Sequence, residues 1–290
     1  VEIIRTIEWM KQTARAARMS GHVIGLVPTM GALHDGHFSL IQAAKQRCSP
    51  VIATIFVNPA QFGPAEDLAK YPRSFEADCE ALEKRGVDYL FAPTAEQIYP
   101  KGFSTYVTVE GLSSRLEGKS RPGHFRGVAT IVLKLLEITQ PHFAFFGRKD
   151  AQQERVIRTM AGDLNLDAEI LACPIVREAS GLALSSRNAY LSADQNKSAL
   201  KLSRALLAAK KEIEAGERNA VQLIRTVRDV LAGDPGLEVD YAEIVDADTF
   251  EPVMHLRLAC YVLLAAKVGT TRLIDNALVE QVGEEFQVTV

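Results

Sequence analysis

Four polar clusters in the chain combine groups that bind anions or oxygen-rich ligands, and most of them follow short apolar runs. The first is Pro28-Thr29-Met30-Gly31-Ala32-Leu33-His34-Asp35-Gly36-His37. His34 and His37 are three residues apart, so at a helix start they share a face where backbone N–H groups and the helix field favour an anion. Two imidazoles there would bind phosphate oxygens and stabilise charge on a departing pyrophosphate. The same residues would also serve as a helix cap or a glycine turn. A metal would need a third ligand that the local spacing does not supply.

The second cluster is Phe56-Val57-Asn58-Pro59-Ala60-Gln61-Phe62-Gly63. Asn58 and Gln61 offer amides that can bind a hydroxyl or carboxylate from two sides, while an Asn-Pro turn with Gln61 in solvent is the competing account. The third has two parts, Ser120-Arg121-Pro122-Gly123-His124-Phe125-Arg126-Gly127 and Gly147-Arg148-Lys149-Asp150-Ala151-Gln152-Gln153. Lys149 and Asp150 stand in a turn between a strand and a helix, where cation and carboxylate would orient phosphates and a ribose hydroxyl, or form a solvated charge cluster. His124 would partner a phosphate or leaving group, or hold the loop. The fourth is Val176-Arg177-Glu178 followed by Gly181-Leu182-Ala183-Leu184-Ser185-Ser186-Arg187-Asn188. Hydroxyls and a guanidinium on a movable loop would close over a triphosphate, and ordinary linker chemistry is the alternative. Serine nucleophilic catalysis is disfavoured, because no Gly-x-Ser-x-Gly elbow is present.

The elements that must position these groups follow from hydrophobic patterning. Short apolar runs at 23–28, 50–57, 87–92, 143–146 and 168–173 predict strands, and residues 37–47, 74–85, 127–138 and 151–163 predict helices. Their exchange predicts an α/β chain with a Rossmann-like, mostly parallel sheet, which places its loops at a natural ligand-binding edge. From Leu191 the composition shifts to long Ala-, Leu- and Lys-rich helical stretches running to 214 and then over 220–231, followed by strands at 239–246, 257–266 and the tail 286–290. The expected division is a domain of residues 1–180 and a smaller, mixed helix and strand domain of residues 181–290 that closes over the site.

The chain has 290 residues, 47% hydrophobic and 24% charged, with a formal charge of -3. That length fits roughly two domains, and the balance argues against disorder and against a large polyanion as the main partner. Cys48, Cys79, Cys173 and Cys260 form no Cys-x-x-Cys pair, so a disulfide framework or structural zinc is not expected and a reducing compartment fits. The acids at Glu2 and Glu8 come too early for an ordinary secretory leader, and no run reaches the roughly 18 apolar residues of a membrane span. No membrane or nucleic-acid partner is expected.

Together, in this order, the four clusters resemble the pantoate–beta-alanine ligase family, within the nucleotidyltransferase superfamily that carries His-x-Gly-His. The specific signal is His34-Asp-Gly-His37 combined with Phe-Val-Asn-Pro-x-Gln-Phe, Arg-Pro-Gly-His-Phe-Arg-Gly and Ser-Ser-Arg-Asn. The likeness spans nearly the whole first domain and reappears in Val239-Asp-Tyr-Ala-Glu-Ile244 and Gly269-Thr-Thr-Arg-Leu-Ile-Asp-Asn276. It implies that ATP activates the carboxylate of (R)-pantoate as pantoyl adenylate, after which the amine of beta-alanine displaces AMP. By the same resemblance His34, His37, Met30, Gly147, Lys149, Asp150, Ser185, Ser186 and Arg187 would contact ATP, with His37, Lys149 and His34 catalytic. Met30, Gln61 and Gln153 would contact pantoate, and Asn58 and His124 would be further substrate-binding residues. Magnesium accompanying ATP, a homodimer and a cytoplasmic location are implied as well.

The chain departs from the family's usual Gly-Glu-Lys-Asp-aromatic-Gln-Gln at two places. Arg148 reverses a charge and Ala151 removes an aromatic ring, while Lys149 and Gln153 remain. Two other functions use the same anion site: nucleotidyl transfer to a phosphorylated acceptor, and ATP binding without catalysis. Dinucleotide-dependent oxidoreduction is disfavoured by the missing Gly-x-Gly-x-x-Gly.

Overall fold

The structure, a computed structural model, describes residues 1–64 and 66–290. It divides into two compact units, one of residues 1–148 and 152–174 and the other of residues 149–151 and 175–290.

The first unit runs β1 (Glu2–Ile4), α1 (Ile7–Met19), β2 (Gly25–Val27), α2 (Asp35–Lys45), β3 (Val51–Thr54), α3 (Phe75–Lys84) and β4 (Tyr89–Phe91). It continues with α4 (Ala95–Ile98), α5 (Glu117–Ser120), α6 (His124–Thr139), β5 (Phe143–Gly147), α7 (Ala151–Asp163) and β6 (Glu169–Cys173). Six strands form one sheet in the order β1-β4-β3-β2-β5-β6, with every pairing parallel. Successive strand residues point to opposite faces, and both faces are buried. Leu26, Ile52, Phe91, Ala144 and Phe146 pack with α1, α6 and α7, while Val27, Ala53, Leu90 and Phe145 pack with α2 and α3. This two-sided burial is why the strands read as continuous apolar runs. The strand order reverses between β2 and β5, so the segments leaving these neighbours flank the crevice where open parallel sheets bind ligands.

The second unit carries α8 (Ala193–Glu214), α9 (Ala220–Leu231), β7 (Leu237–Asp246), β8 (Ala259–Val268), β9 (Thr271–Val282) and β10 (Glu285–Thr289). The four strands form an antiparallel meander, β10-β9-β8-β7. Its inner face packs Ile244, Val262, Leu264 and Val279 against Leu202, Leu206, Leu223 and Val227 of the two helices. A capping box of Ser192 and Gln195 starts α8, and the Asn219 side chain caps α9.

The parallel sheet and the smaller mixed unit agree with the sequence reading. The second compact unit resumes at Ile175, and Lys149–Ala151 group with it. A small hairpin follows, in which Arg177 bridges Ala183 and Leu184 N–H donates to Val176 O. The Arg177 guanidinium is tied to Asp275 of β9 by two bonds of 2.8 Å. Among the described residues no helix is long and apolar enough to cross a membrane.

Candidate active site

The turn after β2 is built by side chains that bond its backbone. Thr29 N–H donates to Thr54 Oγ1 at 3.2 Å and Thr29 Oγ1 donates to Thr54 O at 2.6 Å, fixing the exit from the strand. Gly31 then takes φ +86° and Ala32 φ 50°, left-handed backbone that costs a residue with a Cβ. The compensation is Asp78 of α3, 4% exposed, whose two carboxylate oxygens accept the N–H groups of Ala32 and Leu33 at 2.9 Å each.

His34 is the N-cap of α2 and His37 its third residue, and the pair forms a reciprocal capping box. His34 Nδ1 accepts from Gly36 N–H at 3.2 Å, and His37 Nδ1 accepts from His34 N–H at 3.3 Å. A ring nitrogen that accepts carries no proton, so each neutral imidazole holds its hydrogen on Nε2. The ring centroids are 4.1 Å apart. The capping and anion-binding readings of this motif are therefore compatible: one nitrogen of each ring caps, and the other is a donor at a helix N-terminus.

The Asn58–Gln61 turn is enclosed, with Asn58 1% and Gln61 9% exposed, which removes the reading of Gln61 in solvent. Asn58 Nδ2 donates to Gln61 Oε1 at 2.9 Å and to Gly127 O at 3.1 Å, and Tyr99 OH donates to Asn58 Oδ1 at 2.7 Å. Gln61 Nε2 faces Met30 Sδ at 3.4 Å. Gly127 permits the close approach of α6, since a Cβ there would stand 2.2 Å from Ala60 O. His124 is buried beneath the same turn, its Nδ1 2.9 Å from Gln61 O and its Nε2 3.0 Å from Arg121 Nη1. Burial and the Arg121 charge push its pKa down to about 4, so the ring is neutral, donating from Nδ1 and accepting at Nε2. Arg121 in turn makes a two-pronged pair with Glu66 at 2.8 Å. Burial alone would raise the Glu66 carboxyl, but the hydrogen bond and charge of Arg121 hold it below the usual carboxylate range.

Gly147 ends β5 with open space where a side chain would stand. Gln152 and Gln153 stand in the first turn of α7, and Gln152 is structural: its Oε1 accepts from Glu117 N–H at 3.1 Å and its Nε2 donates to Leu112 O and Arg115 O. Gln153 is half-buried. Of the two departures from the family pattern, Ala151 is buried at 3% exposure, and Arg148 stands close enough to oppose the upward effect of burial on the Cys173 thiol.

The second unit gathers the remaining residues. Asn276 Nδ2 of β9 donates to Lys149 O at 2.9 Å, which ties the turn of Lys149 and Asp150 to the meander. Ser185 caps a short 3-10 turn over 186–190, its Oγ accepting from Arg187 N–H at 3.3 Å. Asn188 Nδ2 bonds Glu178 Oε1 and Ala183 O, joining this turn to the hairpin.

The structure thus unites Met30, His34 and His37 in one turn and Asn58, Gln61 and His124 in a second network touching Met30, while Lys149, Asp150, Ser185, Ser186 and Arg187 belong to the other unit. Asp78, Tyr99, the Arg121–Glu66 pair and Asn276 escaped the sequence reading as supporting residues. For Asp78 a signal existed: it shares the buried stripe of α3 with Leu82, and an acid there must find donors.

A model of the pantoate-beta-alanine ligase family matches residues 2–278. The chain is 50% identical to the pantothenate synthetase of Koribacter versatilis over 98% of this chain and 97% of that protein. It is 51% identical to that of Caldicellulosiruptor saccharolyticus over 96% and 99%. Among solved structures, pantothenate synthetase from Thermus thermophilus superposes with a TM-score of 0.90 at 42% identity, covering 95% of this chain and 98% of that one. The pantoate-beta-alanine ligase of Francisella tularensis, complexed with beta-gamma ATP and beta-alanine, gives 0.78 at 35% identity over 95% and 97%. A family match of this extent, joined to identity at this level along almost the full length of each relative, places the chain in the pantoate-beta-alanine ligase family.

Proposed function

We propose that this chain condenses pantoate, as its (R) form, with beta-alanine at the expense of ATP, giving pantothenate, AMP and pyrophosphate through pantoyl adenylate. The observation that carries the reading is the intact, capped His34–His37 pair, two Nε2–H donors fixed at a helix start in a chain of this family.

In the first step a pantoate carboxylate oxygen attacks the α-phosphorus and the bond to the pyrophosphate oxygen breaks. His34 and His37 donate from Nε2 to phosphate oxygens, with His37 nearer the reacting phosphate. Lys149 supplies positive charge to the phosphates, Asp150 accepts from the ribose, and Ser185, Ser186 and Arg187 bind the phosphate tail. The backbone at Gly147 is open to close approach by the nucleotide. Met30, Gln61 and Gln153 hold pantoate. In the second step the amine attacks the acyl carbon and the bond to AMP breaks, a displacement that hydroxide as leaving group would not permit. No protein nucleophile is required, so catalysis is orientation and charge stabilisation.

Among the described residues no three His, Cys, Asp or Glu side chains cluster as a metal cage. Magnesium accompanying ATP would rest mainly on phosphate oxygens and water, which suits a cation that dehydrates reluctantly. A homodimer and a cytoplasmic location belong to the same proposal, the first checked by light scattering. The deciding experiment is pantoate-dependent ATP–pyrophosphate exchange with magnesium and without beta-alanine, with Lys149→Ala as the control for contaminating enzyme. Exchange that disappears in the control is expected. A folded protein that binds ATP without exchange would instead be a silent relative.

A further inference from the structure

Asn58 uses its whole hydrogen-bonding capacity inside the protein. Its Oδ1 accepts from the backbone N–H of Ala60 at 3.3 Å and from Tyr99 OH at 2.7 Å. Its Nδ2 donates to Gly127 O at 3.1 Å and to Gln61 Oε1 at 2.9 Å. An asparagine amide has two lone pairs and two hydrogens, and all four are engaged. Two of these partners, a backbone N–H and a backbone carbonyl, cannot change polarity, so the amide cannot be turned over without losing both.

The consequence passes to Gln61. With an N–H facing it, Gln61 must turn Oε1 toward Asn58 and Nε2 the other way, where it meets Met30 Sδ at 3.4 Å. A thioether is a weak acceptor, readily exchanged for an oxygen. His124 secures the backbone of the same residue through Nδ1, and its Nε2 is engaged by Arg121. Both ring nitrogens are thereby occupied.

We infer that Asn58, Tyr99 and His124 are positioning residues, not substrate contacts, and that they hold Gln61 with its amide NH2 forward to meet an oxygen lone pair of the acid substrate. The inference rests on the assignment of Gln61 to pantoate made above. It replaces the direct contacts expected of Asn58 and His124 with a relay in which Gln61 alone of the three amide and imidazole groups reaches the ligand.

The test is a double-mutant cycle on the full chain with Tyr99→Phe, Gln61→Ala and the pair combined, read as pantoate affinity by calorimetry below the Tm of every variant. ATP–pyrophosphate exchange is run in parallel. Tyr99→Phe is expected to weaken pantoate about threefold to tenfold while the KM for ATP stays within about twofold. The combined variant is expected to bind no more weakly than Gln61→Ala alone, because Tyr99 acts through Gln61. Asn58→Asp, which sets an acceptor against Oε1 and reverses the Gln61 amide, is expected to weaken pantoate at least as much as Gln61→Ala. Additive losses, equal weakening of ATP and pantoate, unchanged affinity in Tyr99→Phe, or wild-type affinity in Asn58→Asp would each overturn the inference. Wild-type protein that binds pantoate without exchange would sink the proposed reaction and leave the relay standing or falling on the calorimetry. Wild-type protein that does not bind pantoate would sink both.

Discussion

His37→Gln separates the two duties of the His34–His37 pair. At the third helical position glutamine can still reach back to the N-cap backbone N–H, as His37 Nδ1 does at 3.3 Å, so the box of α2 survives. What disappears is the Nε2–H donor. A hydrogen bond to a charged phosphate oxygen contributes about 1.5–3 kcal/mol, and if it forms chiefly in the transition state its loss lowers kcat by about tenfold to 150-fold. His37→Ala loses the donor and the cap together, and the cap adds about 1 kcal/mol of lost stability. The assay is pantoate-dependent ATP–pyrophosphate exchange at saturating substrates, paired with thermal unfolding. The expected pattern is similar kcat for both variants but a lowered Tm only for alanine. Wild-type exchange in His37→Gln, or a fall in rate that tracks Tm across the two variants, would refute the reasoning.

Gly127→Ala drives a Cβ to within 2.2 Å of Ala60 O, so denaturant unfolding should show a loss of about 1–3 kcal/mol together with weaker pantoate binding; an unchanged midpoint would contradict the close packing. Asp78→Asn leaves one of the two N–H groups at Ala32 and Leu33 without its carboxylate oxygen and should destabilise by about 1–3 kcal/mol while raising the KM for ATP more than that for pantoate. Asn276→Asp sets a carboxylate against Lys149 O, and exchange should fall in kcat with the KM for pantoate unchanged. His124 titrates at about 4 in the folded chain against 6.5 ordinarily, so the unfolded chain binds the proton more readily. Stability from this residue is full above about pH 6.5 and is lost as pH falls toward 4, on the order of 3 kcal/mol in all. A His124→Gln variant should flatten that part of the Tm–pH curve, and an unaltered curve would show that another group governs it.

Much of this was readable in the chain because the responsible interactions are local. The apolar runs at β2, β3 and β5 and the amphipathic pattern of α7 and α9 identify themselves within a dozen residues, as do His34 and His37 inside one turn. Weaker signals fail where burial is thin: β1 buries only Ile4 and α1 only Met10 and Ala14, and neither stood out. The strand β9 was concealed by Asp275 and Asn276, polar residues that are buried because one pairs with Arg177 and the other bonds Lys149 O. The supporting shell of the site was out of reach for a different reason. Tyr99 meets Asn58 across 41 residues, Asp78 meets Ala32 across 46 and Arg121 meets Glu66 across 55, and no local pattern encodes such pairings. The pair of Arg177 with Asp275 spans 98 residues and is of the same long-range kind.

The strand order also dictates when each half of the chain can acquire its shape. At the centre of the parallel sheet β2 must wait for β5, and the bond from Ile24 N–H to His142 Nδ1 closes across 118 residues. The meander needs no such wait, since Val268 pairs Thr271 and Val282 pairs Glu285 through tight turns. Loop closure favours the short connections, so in refolding the amides of residues 259–289 gain protection from exchange before those of β2 and β5. During synthesis the order of emergence is reversed: β1 to β4 leave the ribosome with the β5-facing edge of β2 bare until residue 143 has been added. Until then that edge presents unpaired backbone groups, the kind of exposure that makes an incomplete sheet prone to association.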